Sequence, residues 1–361
     1  MKIVEINDYN SFLSLEQRWN LILKRCDHTV FSTWEWLSTW WKHFGHDKKL
    51  LLLVAEEKGI TYGIAPLMYS VYDLFGLRRG KIEFIGSQRP RSDYTDFIIA
   101  DKEDECIRSF IKHLNGISER WDCIDLTNIP ENSKILPSIK KITNTLKPLT
   151  KCPYTKLPSS HQTYIDSLKH KQKKNLRRNL LKIERNFKTD FVDLSDSPSI
   201  NEQMKIFFDL HQKRWTAKGF SGAFADRKVA NFHLDIARRF SKKGWLGLFM
   251  LRLSDVPAAA LYGFRYNSKF YYYLSGFDPK FFEYSVGSLL TSFAIERSIK
   301  EGFVEFDFTR GGEEYKNHWN TMTRWNYRAV LTQPGVIPSI KHRIYEGFWQ
   351  YGTSLQHILH I

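Results

Sequence analysis

With 361 residues, 42% of them apolar, the chain can bury one large core or two modest ones, and its length favours two domains. The longest aliphatic run, Leu50 to Ala55, is far too short to span a bilayer, and the charged start, Met1 to Asp8, does not read as a signal peptide, so a cytoplasmic protein is expected. Lys and Arg outnumber Asp and Glu by 54 to 39, and a net charge of +15 favours an anionic partner: nucleotide phosphates, a carrier protein, tRNA or a membrane surface.

The first half opens on an aromatic helix at Trp34 to Trp41, followed by a strand from Leu50 to Glu56, a turn at Glu57-Lys-Gly59 and a strand from Ile60 to Tyr69. Further strands are expected near Lys81 to Ile85 and at Tyr94 to Ile99, then a helix from Asp104 to Ile117 and a strand from Trp121 to Leu126. Between Ile129 and Ser160 the chain becomes rich in Pro, Asn, Ser and Lys, with a helix possible over Ile135 to Leu146, and a domain boundary is expected near residue 155.

Beyond it, Leu176, Leu180, Ile183 and Phe187 recur at helical spacing, so Lys169 to Lys188 reads as a helix docked by one apolar stripe. Nine cations against the single acid Glu184 fill this segment, although like charges at i,i+3 and i,i+4 repel by a few tenths of a kcal/mol per pair. A helix over Glu202 to Trp215 precedes a meander: Leu246 to Leu253, Ala258 to Tyr266 and Phe270 to Gly276. The turn Tyr284-Ser-Val-Gly-Ser288 then opens a helix that stops at Gly302, before a parallel strand from Val304 to Phe308. Ile340 to Ile361 reads as an amphipathic helix that packs on the second unit or touches a membrane surface.

The two halves repeat one order of parts, and Gly63 to Leu67 and Pro257 to Leu261 hold the same place in their hairpins. A tandem of two similar α/β units, 1–155 and 156–361, is therefore expected. In the second, the small residues Ser285, Gly287 and Ser288 leave the first-turn N–H groups of a helix uncovered at the positive end of its dipole, where a pyrophosphate can sit. The first half has no such turn, so only the second is expected to carry a donor site, and the acceptor is expected between the two. Cys26, Cys106, Cys123 and Cys152 lack the spacing of a zinc site or redox pair and read as reduced thiols. No metal-ligand spacing, phosphate loop of Walker type or serine nucleophile elbow is present, and no metal is implied.

The basic Lys-Lys-Asn-Leu-Arg-Arg helix, Ser275-Gly-Phe-Asp278, Ser285-Val-Gly-Ser-Leu-Leu290, Phe306-Asp-Phe-Thr-Arg-Gly311 and Tyr315-Lys316 together resemble the GNAT N-acyltransferase superfamily over about 160–330. The closer likeness is to a double-domain branch that groups the CelD and exopolysaccharide-locus acetyltransferases with Fem-type aminoacyltransferases. The resemblance implies a tandem of GNAT-like α/β units, each a mixed, mainly antiparallel sheet flanked by helices. It further implies an acetyl-CoA or other acyl-CoA donor on Leu274, Ser275 and Gly276 and on Ser285, Val286, Gly287 and Ser288. One departure stands out: where typical members carry Gln or Arg and two spaced glycines, this chain has Phe282 and Ser285 and keeps only Gly287. Acyl carrier protein and aminoacyl-tRNA are the other anionic donors used around this fold.

Acyl transfer to an amine needs a neutral nucleophile, a polarised carbonyl and a proton for the departing thiolate. Backbone N–H groups at Leu274 to Gly276 can polarise the carbonyl. Asp307, Glu313 or Glu314 can take a proton, Tyr315 or Tyr284 can give one, and Arg310, Lys316, Lys173 and Arg177 can hold anionic groups of the substrates. Asp307 can equally cap a loop, and His318 reads as structural. The expected activity is acetyl transfer to a small-molecule or lipid-linked amino sugar in surface-polysaccharide synthesis. Its rivals are aminoacyl transfer from tRNA and a nonenzymatic nucleic-acid or membrane-binding module.

Overall fold

The computed structural model describes residues 1–74 and 77–333; the helix expected over 340–361 lies outside them. The described chain divides into two compact units, Met1–Thr150 with the residues from Trp325 on, and Lys151–Arg324.

The first unit begins with β1 (Lys2–Ile6), α1 (Tyr9–Ser14), α2 (Glu16–Leu23) and α3 (Trp34–Phe44). Thr33 caps α3 by accepting from Trp36 N, and Trp34 to Trp41 are all buried. β2 (Lys49–Glu57) and β3 (Ile60–Leu74) form a hairpin across Lys58-Gly59, both at positive φ, and β4 (Leu77–Phe84) continues the meander. Of the strand expected over Tyr94 to Ile99, only β5 (Ile98–Ile99) pairs with a neighbour. α4 (Glu103–Gly116) carries three acids in its first turn, as the helix dipole favours, and leads to β6 (Cys123–Pro130), which runs parallel to β4.

Between Ile135 and Leu146 the helix shrinks to α5 (Leu136–Lys140), and the later part of the Pro-rich junction is β7 (Thr145–Lys156). Pro153 has no N–H to give, yet its carbonyl still accepts from Phe308 N at 2.9 Å. The chain passes from one unit to the other inside this strand.

The second unit contains α6 (His161–Ser167), α7 (His170–Asn186), β8 (Thr189–Asp193), α8 (Ile200–Thr216) and α9 (Arg227–Lys242). The meander β9 (Leu246–Leu253), β10 (Val256–Tyr266) and β11 (Lys269–Phe277) follows, then α10 (Val286–Lys300) and β12 (Glu305–Asp307). The sheet order is β7-β12-β11-β10-β9-β8, with β11 and β12 parallel and its other pairs antiparallel. Leu176 and Ile183 of α7 enter the core with Leu180 and Phe187 packed beside them, which fits the expected stripe.

Each unit is thus a mixed, mainly antiparallel sheet flanked by helices, with the same series of hairpin, third strand, helix and parallel strand. The likeness reaches detail, because a register shift lies beside Ala55/Glu56 in one hairpin and beside Pro257/Ala259 in the other. The last strand departs from the sequence reading, which gave everything after residue 155 to the second unit. β13 (Met322–Thr332) pairs with β6 from Asn326 to Thr332, and the buried Arg328 guanidinium meets the Asp125 carboxylate at 2.8 Å through both Nε and Nη2.

Two expected outcomes arise here. Phe306 is fully buried and stacked on Phe270 with centroids 5.0 Å apart, so Phe306→Ala should destabilise the protein by about 3–5 kcal/mol in chemical denaturation. Burial pushes the Asp96 carboxyl up to about 7, although it accepts from Phe97 N at 2.8 Å. The folded state therefore binds more protons than the unfolded state between the ordinary carboxylate value and about 7, and this group's contribution to stability falls as pH rises through that window. Asp96→Asn should flatten that decline in a series of melting curves; an unchanged slope would contradict the assignment.

Candidate functional site

β11 and β12 pair only from Lys269/Glu305 to Tyr271/Asp307, while β11 runs on to Phe277. The two strands therefore part beyond Tyr271, and a register shift near Tyr273 bends β11 at that point. The Thr309 hydroxyl closes the apex of the opening by donating to Tyr272 O at 3.0 Å. Past it lie Leu274, Ser275 and Gly276. Gly276 is a contact with α8, since a Cβ there would fall 2.3 Å from His211 N.

The N-terminus of α10 follows closely in the chain. Ser285 is not an ordinary cap: it takes the left-handed conformation (φ 52°), and its side chain makes no capping bond. Its carbonyl accepts from Ser288 N at 2.9 Å and Leu289 N at 3.2 Å. Among the described residues, the Val286 and Gly287 N–H groups have no backbone acceptor. Gly287 and Ser288 are exposed, Val286 is buried, and the nearest obstacle to a side chain at Gly287 is Phe277 Cδ1 at 3.9 Å. The helix end is thus open, as the small residues of the sequence suggest, with first-turn N–H groups at its positive pole.

The first unit differs at the corresponding place. β4 and β6 pair at Lys81/Cys123 and Ile82/Ile124, but the loop after β4 turns back along the remainder of β6. Asn128 Nδ2 donates to Ser92 O at 3.2 Å, the Thr95 hydroxyl donates to Thr127 O, and Ser92 to Thr95 are buried.

Around the opening in the second unit the structure gathers Ser275, Glu313 and Tyr315 with residues that the sequence reading did not select. Tyr272 OH donates to Ser275 Oγ at 2.6 Å, and Arg214 Nη1 of α8 donates to the same hydroxyl at 3.0 Å. Burial, then the neighbouring Tyr272 and Glu313, hold the Tyr315 phenol well above its ordinary range, so it keeps its proton. Burial and the nearby Arg214 lower the Lys218 ammonium, against the pull of Glu313. Arg214 and Lys218 escaped the sequence reading because they lie on or just past α8, with Arg214 61 positions from Ser275 and Lys218 farther still from Glu313.

The other candidates have distinct places. Asp307 is buried; its Oδ1 accepts from Thr309 N at 2.7 Å and its Oδ2 lies 3.8 Å from Arg324, which fastens the chain where it leaves β12. Lys316 turns inward rather than toward a substrate: its Nζ donates to Arg310 O at 2.8 Å and Gly311 O at 3.2 Å and lies 2.8 Å from Glu313 Oε2. Glu313 lies against Gly311, where a Cβ would fall 2.3 Å from its carboxylate. Glu314 and His318 are exposed, and Arg310 is half-buried. Lys173 and Arg177 lie on α7, with Lys173 Nζ donating to Asp166 O at 3.2 Å. Tyr284 lies under Lys182, 4.5 Å from its ring centroid.

Cys106, Cys123 and Cys152 are buried and Cys26 half-buried, all as free thiols, and burial raises Cys26 to about 11 and Cys106 to about 12. Among the described residues, no group of three His, Cys, Asp or Glu side chains is placed to hold a metal ion, and no helix is long and apolar enough to cross a membrane.

Residues 170–317 match the acetyltransferase (GNAT) domain family. Comparison with curated proteins gives no match. Among solved structures the chain is similar to FemX, with 11% identity, 92% of this chain and 98% of that chain covered and a TM-score of 0.64. It is also similar to the C-terminal domain of a putative lysylphosphatidylglycerol synthetase from Agrobacterium fabrum, with 14% identity, coverage of 92% and 96% and a TM-score of 0.55. A tandem GNAT protein from the clavulanic acid biosynthesis pathway shares 9% identity over 93% and 99% of the two chains, with a TM-score of 0.51. At these identities the likeness is one of fold. The chain therefore carries a GNAT-fold acyltransferase domain at residues 170–317.

Proposed function

We propose that the second unit transfers an acyl group from an acyl-CoA, acetyl-CoA foremost, to the amine of an amino sugar or related precursor of a surface polysaccharide. The observation that carries this reading is the open end of α10 beside the parted strands β11 and β12, with Gly287 uncovered. The N–H groups of Val286 and Gly287 would hold the donor phosphates, and the free stretch of β11 would pair with the donor's amide arm. The filled counterpart in the first unit supports a single donor site. The resemblance of 160–330 to exopolysaccharide-locus acetyltransferases supports the amino-sugar acceptor.

In this reading Glu313 takes the proton that the attacking amine loses, and Tyr315 gives its proton to the sulfur as the carbon–sulfur bond breaks. Tyr315 suits that role because its surroundings keep the phenol protonated. Asp307 serves by position, since it fixes Thr309 and with it the apex of the opening. Backbone N–H groups near Leu274 to Gly276 polarise the carbonyl. Solvent returns the proton from Glu313 to Tyr315.

Aminoacyl transfer from tRNA is the second reading, favoured by the cation-rich α7 packed against the segment just before α10. Calorimetry with acetyl-CoA, longer acyl-CoAs and free CoA separates the two. Saturable heat with the thioesters and with CoA is expected, whereas no heat from any of them would move the donor assignment to tRNA or a carrier protein.

A further inference from the structure

The exposed face of α7 is unusual for a surface helix. Lys171, Lys174, Arg177, Arg178 and Arg185 are exposed, and among the described residues none of them forms an ion pair. Within the helix only Glu184 opposes them, so repulsion between successive turns is left uncompensated. Between these cations Leu181 is 43% exposed, and Phe282, at 75%, is the most exposed large apolar side chain among the described residues.

Phe282 is held beside the helix by the packing of its neighbours. Lys182 of α7 meets Glu283 at 2.8 Å, and the Phe187 ring lies edge-on to Phe281 at 5.8 Å and to Tyr284 at 5.3 Å. The segment 279–284 and α7 thus form one firm surface with cations and two protruding apolar groups, immediately ahead of the α10 N-terminus.

We propose that this surface docks onto an anionic phospholipid membrane, with Leu181 and Phe282 entering the headgroup layer and the cations of α7 lying against lipid phosphates. A cluster of basic side chains on a helix is drawn to anionic lipid phosphates, and apolar side chains exposed among the charges can enter the headgroup layer. An RNA track would use the same cations and could stack on a phenyl ring, but it has no use for an exposed leucine between arginines. Resting on the acyl-transfer reading above, the docking would present the candidate donor site to a lipid-borne acceptor.

The test is flotation of the full chain with phosphatidylcholine vesicles, with or without about 30 mol% phosphatidylglycerol. Binding to the anionic vesicles alone is expected, weakening as salt is raised to about 0.5 M. Lys174→Glu with Arg178→Glu should lower partitioning by more than about tenfold, since each basic residue near the surface contributes roughly fivefold. Phe282→Ser should lower it several-fold; all these variants should melt like the parent, and the Lys174→Glu with Arg178→Glu variant should bind acetyl-CoA unchanged. Equal binding to neutral vesicles, or binding that ignores the substitutions, would overturn the proposal. So would absence of vesicle binding with a substitution-sensitive affinity for a structured RNA, which would assign the surface to nucleic acid. Vesicle binding that persists in a protein giving no heat with acyl-CoA would uphold the docking and refute the donor reading alone.

Discussion

Gly287→Trp is expected to weaken acyl-CoA binding by at least about 100-fold, equivalent to roughly 2.7 kcal/mol, while leaving the melting temperature nearly unchanged. The space above Gly287 is open, with only Phe277 Cδ1 within 4 Å of the point where a Cβ would stand, so an indole can be accommodated at the helix end and lie across the first-turn N–H groups. Gly287 is not among the glycines at positive φ, so a side chain brings no backbone strain, and replacing glycine in a helix favours the helix if anything. Gly287→Ala separates the steric effect from the loss of glycine. Its methyl would stand in ordinary contact at 3.9 Å, and binding should fall only a few-fold. Parallel calorimetry and thermal melting of both variants give the answer, and undiminished binding by the tryptophan variant would remove the donor from α10.

Tyr315→Phe and Glu313→Gln should each lower kcat by about 10²–10³-fold with a much smaller change in KM, the usual scale for losing a general acid or base. The phenylalanine keeps the ring and removes only the hydroxyl that gives a proton to the sulfur. The glutamine keeps a hydrogen-bonding group near Lys316, whose Nζ also rests on the Arg310 and Gly311 carbonyls, so the loop should hold its shape. Because burial raises the Tyr315 phenol well above its ordinary range, its proton is retained above pH 10, and it should add no alkaline limb to the rate profile of the parent. Asp307→Asn should act differently: the amide oxygen can still accept from Thr309 N, so a modest fall in rate is expected where a base would show a large one. A Tyr315→Phe enzyme with parental kcat would assign the proton to another group, Tyr284 being the nearest alternative from the sequence.

Much of the second unit can be read from its residues because local signals agree there. Apolar runs separated by short polar turns mark β9 to β11, and Ser254-Asp255 and Asn267-Ser268 do take the positive φ that such turns need. Gly302 ends α10 at φ 76° as a helix-stopping glycine should. α9 also carries its signal, with Asp226 as cap and Val229, Phe232, Ile236 and Phe240 at helical spacing, yet it lies outside the repeat shared by the two halves. β7 is hidden by Pro148 and Pro153, which read as linker until the pairing of the neighbouring strand shows that a carbonyl suffices. The return of β13 to the first unit depends on Arg328 meeting Asp125 across 203 positions of sequence, which no local pattern reports.

The site shows the same division. Ser285, Gly287 and the Asp307 to Gly311 exit are visible as residue types in order along one stretch. That Ser285 sits in the left-handed region, and so leaves its helix uncapped, is a backbone fact that a serine before a helix does not announce. Arg214 and Lys218 become neighbours of Ser275 and Glu313 only through packing of α8 on β11, where Gly276 permits close approach to the His211 backbone, whereas Tyr272 meets Ser275 within β11 itself.

The central claim is that the α10 N-terminus of the second unit holds the donor phosphates. A crystal structure of the protein with CoA tests it most directly. The account predicts diphosphate oxygens accepting from the N–H groups of Val286 and Gly287, with the amide arm along β11 beyond Tyr271. A diphosphate bound within residues 1–150, or anywhere away from that helix end, would contradict it.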